Sequence, residues 1–319
     1  MIFERWPAAL VRLLAVCVVL AGSQGCGPVD QAGGGLGDPA AGASAPGNPT
    51  GLAQPSAPST GQPLQNPIAT SFAPSSPTGG AGSGSFEKIL AKGPKWSWVW
   101  QYTGQPVSTR ADLHVLDGFD HSAGDYKQIV DKGSFPVAYF SCSFEGWRPD
   151  AGKWTDADKG PKMDGWDENW PNPGGPNFWS IMEARLDYMR GKMAQVTGGT
   201  FVPRSCGIEW DNVDLYDSIG LGHARGLEFL QRLKSLTESK GFIFALKNCV
   251  EMVPDLKGVE LYVNEQAQQY GEIATYQNVG VTSPVLNVEY ERPSSSPGYV
   301  YTLYYPDPKK IDGNGLPVS

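Results

Sequence analysis

Residues 206–216 read CGIEWDNVDLY, and three carboxylates, Glu209, Asp211 and Asp214, fall within six positions of a strand-like run. Buried carboxylates are rare without a partner or a function. Alternation along a strand puts Glu209 and Asp211 on one face and Ile208 and Trp210 on the other. Further downstream, YVNEQ carries Glu265 on the same face as Leu261 and Val263. Two carboxyl groups facing each other across a cleft are the equipment of glycoside hydrolysis, one as nucleophile or base and the other as acid. Asp211 and Glu265 are the candidate pair.

Other polar residues gather at the ends of apolar runs: Asp117 and Asp120, Glu145, Lys247 with Asn248, and Glu289. Helix capping accounts for Asp120 and Asp125. It accounts poorly for Glu265 and Glu289, which the alternation places on an interior face. Lys247 is expected beside Asp211, where its charge would favour the ionised nucleophile. Glu209 is read as a supporting hydrogen-bond acceptor, and Asp214 as a substrate contact or a helix cap. Trp98, Tyr139, Trp147, Tyr216, Tyr262 and Tyr290 near these ends suit sugar faces. Core packing accounts for Trp98, and both readings stand for Trp147. His121, near the end of the second apolar run, is a candidate site residue but is read first as a solvated loop residue. His114, His121 and His223 lack metal-ligand spacing, and no metal or cofactor is expected. There is no G-x-S-x-G elbow, P-loop or dinucleotide fingerprint.

The elements that must position these groups are eight apolar runs: 96–102, 113–119, 136–143, 207–213, 242–248, 259–265, 284–290 and 299–305. Helical spacing lies between several of them. Residues 125–133 end at Gly133, Phe178, Ile181, Met182, Leu186, Met189 and Met193 share a helix face, and Leu227 to Leu236 precede a stop at Gly241. Alternating strands and helices imply a parallel sheet, and eight strands imply closure into a (β/α)8 barrel with its site at the strand C-termini. The fourth and sixth strands share parity, which would bring Asp211 and Glu265 together at the mouth.

Residues 86–319 form this domain, and every tryptophan except Trp6 lies in it. Residues 27–85 are rich in Gly, Pro, Ser and Ala with only Asp30 and Asp38 charged. Such composition cannot bury enough apolar surface to offset ordering entropy, so a disordered linker is expected. Its mean reach would be roughly 40–45 Å. Residues 1–26 read as a signal peptide: Arg5 and Arg12, a short apolar run at 13–22, then SQGC. Cys26 is the expected lipidation site, although Ser23 stands where such signals usually carry Leu. The expectation is an exported protein, lipid-anchored or secreted, touching membrane only through that anchor. Cys142, Cys206 and Cys249 are expected as buried thiols. A net charge of −8 argues against a nucleic-acid partner, which needs clustered Lys and Arg.

Taken in order, WVWQYTG, HVLDGFD, VAYFSCSFEGWRPD, GIEWDNVDLY, ALKN, VNEQ and NVEYE resemble glycoside hydrolase family 114, endo-α-1,4-polygalactosaminidases on a (β/α)8 barrel. The resemblance spans about residues 95–292. It implies cleavage of α-1,4-linked galactosamine in microbial exopolysaccharide, a cationic aminosugar polymer. The protein is expected to be a monomer. It also implies Asp211 as nucleophile and Glu265 as acid/base, with Asp117, Tyr139, Asn212, Asp214, Lys247 and Glu289 lining the cleft. Ser180, Ala267 and Cys142 depart from the family pattern and bear on fine substrate preference. A retaining mechanism is expected, which carboxyl groups about 5–5.5 Å apart would mark, against about 6.5–9.5 Å for inversion. Another α-glycosidase on the same barrel, or a non-catalytic polysaccharide-binding protein, are the alternatives.

Overall fold

The computed structural model of the protein describes residues 86–92, 97–106, 111–307 and 311–318. The leader with Cys26 and the linker read from sequence lie outside these residues. Each of the eight expected runs becomes a strand, with ends that shift by no more than two residues. The chain forms β1 (Trp98–Gln101), β2 (Leu113–Asp117) and β3 (Phe135–Ser141). A short excursion follows, with β4 (Phe144–Glu145), β5 (Lys159–Lys162) and β6 (Glu168–Pro171). The main series resumes with β7 (Gly207–Asp211), β8 (Ile243–Lys247), β9 (Leu261–Glu265), β10 (Val285–Glu289) and β11 (Val300–Tyr304), and ends in β12 (Leu316–Val318).

The main sheet runs β1-β2-β3-β7-β8-β9-β10-β11-β12. Its first eight strands are parallel neighbours and β12 lies antiparallel on β11. It curls as the wall of a (β/α)8-type barrel. Among the described residues the seam between β11 and β1 has no ladder of its own. Trp98 Nε1 donates to the Tyr301 carbonyl at 2.9 Å, and the Tyr305 hydroxyl donates to the Trp100 carbonyl at 2.6 Å. The backbone also bridges Gln101 to Asp312 across this edge.

Period-two alternation splits the strands between two cores. Trp100, Val115, Val137, Ala245, Val263, Leu286, Val288 and Leu303 pack inside the barrel. Leu116, Phe140, Ile208, Trp210, Leu246 and Tyr262 face the helices. Burying such side chains stabilises the fold by about 1.5–3 kcal/mol each. The helices are α1 (Phe86–Leu90), α2 (Ala123–Asp131), α3 (Phe178–Val196), α4 (Leu215–Ser218), α5 (His223–Ser239) and α6 (Ile273–Asn278). Helix α1 closes the N-terminal end of the barrel, where the Phe86 ring lies 5.2 Å from that of Phe135. Asp125 closes a capping box with Ser122 at the start of α2, as capping chemistry predicts. The alternation is irregular. A 3-10 turn, Val250–Met252, stands where a helix would follow β8.

The excursion between β3 and α3 is the element that strand periodicity does not disclose. It folds as a small antiparallel sheet, β4-β6-β5, over the C-terminal end of the barrel. Asp158 ties it to α3, accepting from the backbone of Asn177 and Phe178 at 2.6 and 3.2 Å and from the Thr155 hydroxyl at 2.6 Å.

Candidate active site

Inward parity on β7, β8 and β9 delivers Glu209, Asp211, Lys247 and Glu265 to one place. The Lys247 ammonium lies 3.0 Å from Glu265 Oε2, 3.3 Å from Asp211 Oδ1 and 3.6 Å from Glu209 Oε1. Lys247 is buried and Glu209 is fully so, while the side chains of Asp211 and Glu265 keep 19 % and 16 % of their surface exposed. The deep pair therefore supports a shallower pair that solvent, and hence substrate, can reach. The expectation of Lys247 beside Asp211 is met, but the cation is shared and sits closest to Glu265.

Each carboxylate also has its own phenol. Tyr102 donates to Glu209 at 3.0 Å, Tyr139 donates to Asp211 at 2.9 Å, and Tyr290 donates to Glu265. The Tyr102 and Tyr139 rings lie 4.1 Å apart. Trp100 Nε1 adds a 3.4 Å contact to Glu209. Burial pushes Glu209 up to about 7, opposed by Lys247 and reinforced by repulsion from Asp211. Burial pulls the other way on Lys247, but the three carboxylates outweigh it and hold the ammonium charged.

A second polar cluster flanks Asp211 under the excursion. Asn212 Nδ2 donates to Ser141 Oγ at 2.9 Å and to Ser143 Oγ at 3.3 Å, and it contacts Glu168 Oε2 at 3.4 Å. Burial raises the Glu168 carboxyl, and Glu145 beside it adds like-charge repulsion. Arg148 is the counter-charge here. It binds Asp117 through two nitrogens at 2.9 and 3.2 Å, Glu145 at 3.0 Å and Asp120 at 3.3 Å.

The remaining expected site residues separate. Asp117 lies on the inward face, but its oxygens are taken by Arg148 and by the backbone of Phe119 and Asp120. Asp214 stands at the N-cap of α4 and accepts from Ser218 Oγ at 2.9 Å. Trp147 is 49 % exposed, which removes core packing as its explanation. Two expectations are corrected. Glu289 does not face the barrel axis. Leu286 pairs in register with Val263 and Val288 with Glu265, so the inward positions of β10 are even-numbered and Glu289 turns outward. There it is buried and accepts from the Gln268 backbone at 2.7 Å and from Asn287 at 2.9 Å. The inward place passes to Tyr290. His121 is 2 % exposed, not solvated, because Lys192 from α3 pins its carbonyl and that of Gly118.

Sequence reasoning missed Arg148, Glu168, Ser143 and the phenol partnership of Tyr102. Arg148 and Glu168 come from the excursion, whose one legible signal is Asp164–Gly165 between β5 and β6, a hairpin dipeptide. Cys142, Cys206 and Cys249 are buried thiols on the helix side of the wall.

Comparison with known proteins adds three findings. The model of glycoside-hydrolase family GH114 matches residues 81–311. The crystal structure of Aspergillus fumigatus Ega3 in complex with galactosamine is similar at 26% identity, covering 76% of this chain and 98% of that one, with a TM-score of 0.57. The glycoside hydrolase domain of PelA from Pseudomonas aeruginosa shares the fold at 18% identity, covering 69% of this chain and 97% of that one, with a TM-score of 0.52. No curated protein matches the chain.

Proposed function

The chain belongs to glycoside hydrolase family 114, and from that premise we propose that this glycoside hydrolase cleaves α-1,4-linked galactosamine within exopolysaccharide chains. Asp211 is the nucleophile and Glu265 the acid/base. The observation that carries this reading is the shared Lys247, at 3.3 Å from one carboxylate and 3.0 Å from the other. Both carboxyl groups thus meet around one ammonium, where a single glycosidic bond can reach both, and retention is the mechanism of this proposal.

In the first step Asp211 attacks the anomeric carbon and the bond to the leaving oxygen breaks. Glu265 gives that oxygen its proton. The product is a glycosyl ester on Asp211 and a shortened polymer. In the second step Glu265 takes a proton from water, the resulting hydroxide attacks the anomeric carbon, and Asp211 leaves as carboxylate. Tyr139 and Lys247 hold Asp211 oriented between turnovers. Galactosamine bound to Ega3 supports the sugar.

Asp211→Asn and Glu265→Gln are each expected to lower polymer cleavage by roughly 10²–10⁴-fold while binding persists. The first-formed reducing end, read by proton NMR, should be the α-anomer. Wild-type turnover in both variants would remove the assignment, and a β-anomer would remove retention. Action outside the cytoplasm, on a lipid anchor at Cys26, is part of the same proposal and is supported by the leader sequence. Labelled fatty acid should enter the wild-type chain but not Cys26→Ser, and equal labelling would refute the anchor.

A further inference from the structure

The three strands that carry the charged centre all end in the same way. An inward charged residue, Asp211, Lys247 or Glu265, is followed directly by a carboxamide residue in the left-handed region: Asn212 at φ 55°, Asn248 at φ 51° and Gln266 at φ 62°. L-residues adopt this conformation rarely, Asn most readily. Its recurrence at the same point of three adjacent strands is a strained feature of the kind that persists where function over-determines the backbone.

Asn248 goes furthest. Cys249 is left-handed too, at φ 53°, so β8 breaks off as soon as it has delivered Lys247. The neighbouring β9 continues to Glu265, since Lys247 is paired in register with Val263. The Glu265 N–H therefore passes the point where β8 supplies ladder carbonyls. The Asn248 side chain takes over this acceptor role: its Oδ1 receives the Glu265 N–H at 2.9 Å. The Asn248 backbone N–H meanwhile donates to the Val263 carbonyl at 2.8 Å. One residue thus grips β9 on both sides of Asn264. It joins the turn that ends Lys247 to the peptide that carries Glu265.

We propose that Asn248 is a positioning residue for Glu265, its carboxamide setting the height of the Glu265 backbone against Lys247 and so aiming the carboxyl at the glycosidic oxygen. This rests on Glu265 being the acid/base. The competing account is that Asn248 matters only because it tolerates the left-handed turn. Glycine tolerates that turn better but offers no acceptor, which separates the two.

The test compares Asn248→Gly, Asn248→Ala, Asn248→Asp and Glu265→Gln in the full chain. The substrates are a galactosamine polymer and an aryl galactosaminide oligomer whose phenol departs without protonation. The polymer needs a well-aimed acid for its first step and the aryl glycoside does not. Asn248→Gly and Asn248→Ala are expected to lose about 10–100-fold in kcat on polymer with KM unchanged. Their kcat/KM on the aryl substrate should fall far less. Asn248→Asp, which keeps an acceptor oxygen, should recover most of the polymer rate. Wild-type polymer turnover in Asn248→Gly, or equal losses on both substrates, would overturn the positioning role while Glu265→Gln stays inactive. An active Glu265→Gln would instead remove the acid/base assignment beneath it.

Discussion

Three carboxylates around one ammonium cannot all be ionised without leaving net negative charge in a poorly hydrated place. The deepest of them, Glu209, keeps its proton well above the ordinary carboxylate range, since burial pushes it up to about 7. Asp211 and Glu265 lie nearer solvent, within reach of substrate. This has a measurable consequence for stability. Below the ordinary carboxylate value of 4.5, Glu209 is protonated in both folded and unfolded chains. As pH rises from there towards 7, the unfolded chain gives up the proton and the folded chain keeps it, so stability is lost over that window. Glu209→Gln stays neutral and is free of this loss. Urea unfolding from pH 4.5 to 8 should therefore show the variant gaining on wild type by roughly 3 kcal/mol up to about pH 7, with no further change above. A pH-independent difference would show that Glu209 is ionised in the fold.

At the scale of elements, the barrel strands supply the charged centre and the excursion β4–β6 supplies its wall. Glu145, Arg148 and Glu168 all come from it, and Asn212, directly after Asp211, contacts Glu168. The wall depends on Asp158, a fully buried carboxylate that caps α3 and holds the excursion's own turn. Asp158→Ala leaves these buried donors without an acceptor and removes a cap. It should cost about 2 kcal/mol in chemical denaturation. Faster proteolytic nicking within 144–171 than in the barrel strands should accompany it. Uniform nicking would mean that the excursion is not held by this one residue. Glu289 also acts at this scale. Turned outward, it binds the Gln268 backbone and fixes the loop that leaves Glu265.

For the molecule as a whole, a net charge of −8 favours encounter with a polycation through a field that salt screens. On partly deacetylated polymer, kcat/KM should fall several-fold between about 50 and 500 mM salt, while turnover of a neutral oligomer changes little. Salt-independent rates would exclude steering. The chain's local patterns were enough to determine the eight strands and the facing of β7 and β9. Ile208 and Trp210 are apolar where Glu209 and Asp211 are not, and a period of two leaves one arrangement. The same alternation singled out Asp211 and Glu265 as candidates. On β10 the same rule failed, because Val285, Leu286 and Val288 put apolar side chains on both faces and either parity fits. Only pairing with β9 chose Tyr290 over Glu289. The excursion was illegible for a different reason: its strands are too short for periodicity, and contacts with distant elements hold it. That Lys247 is shared by three carboxylates was likewise decided by the curl of the sheet, since alternation is a property of neighbours along the chain and convergence is a property of strands far apart in it.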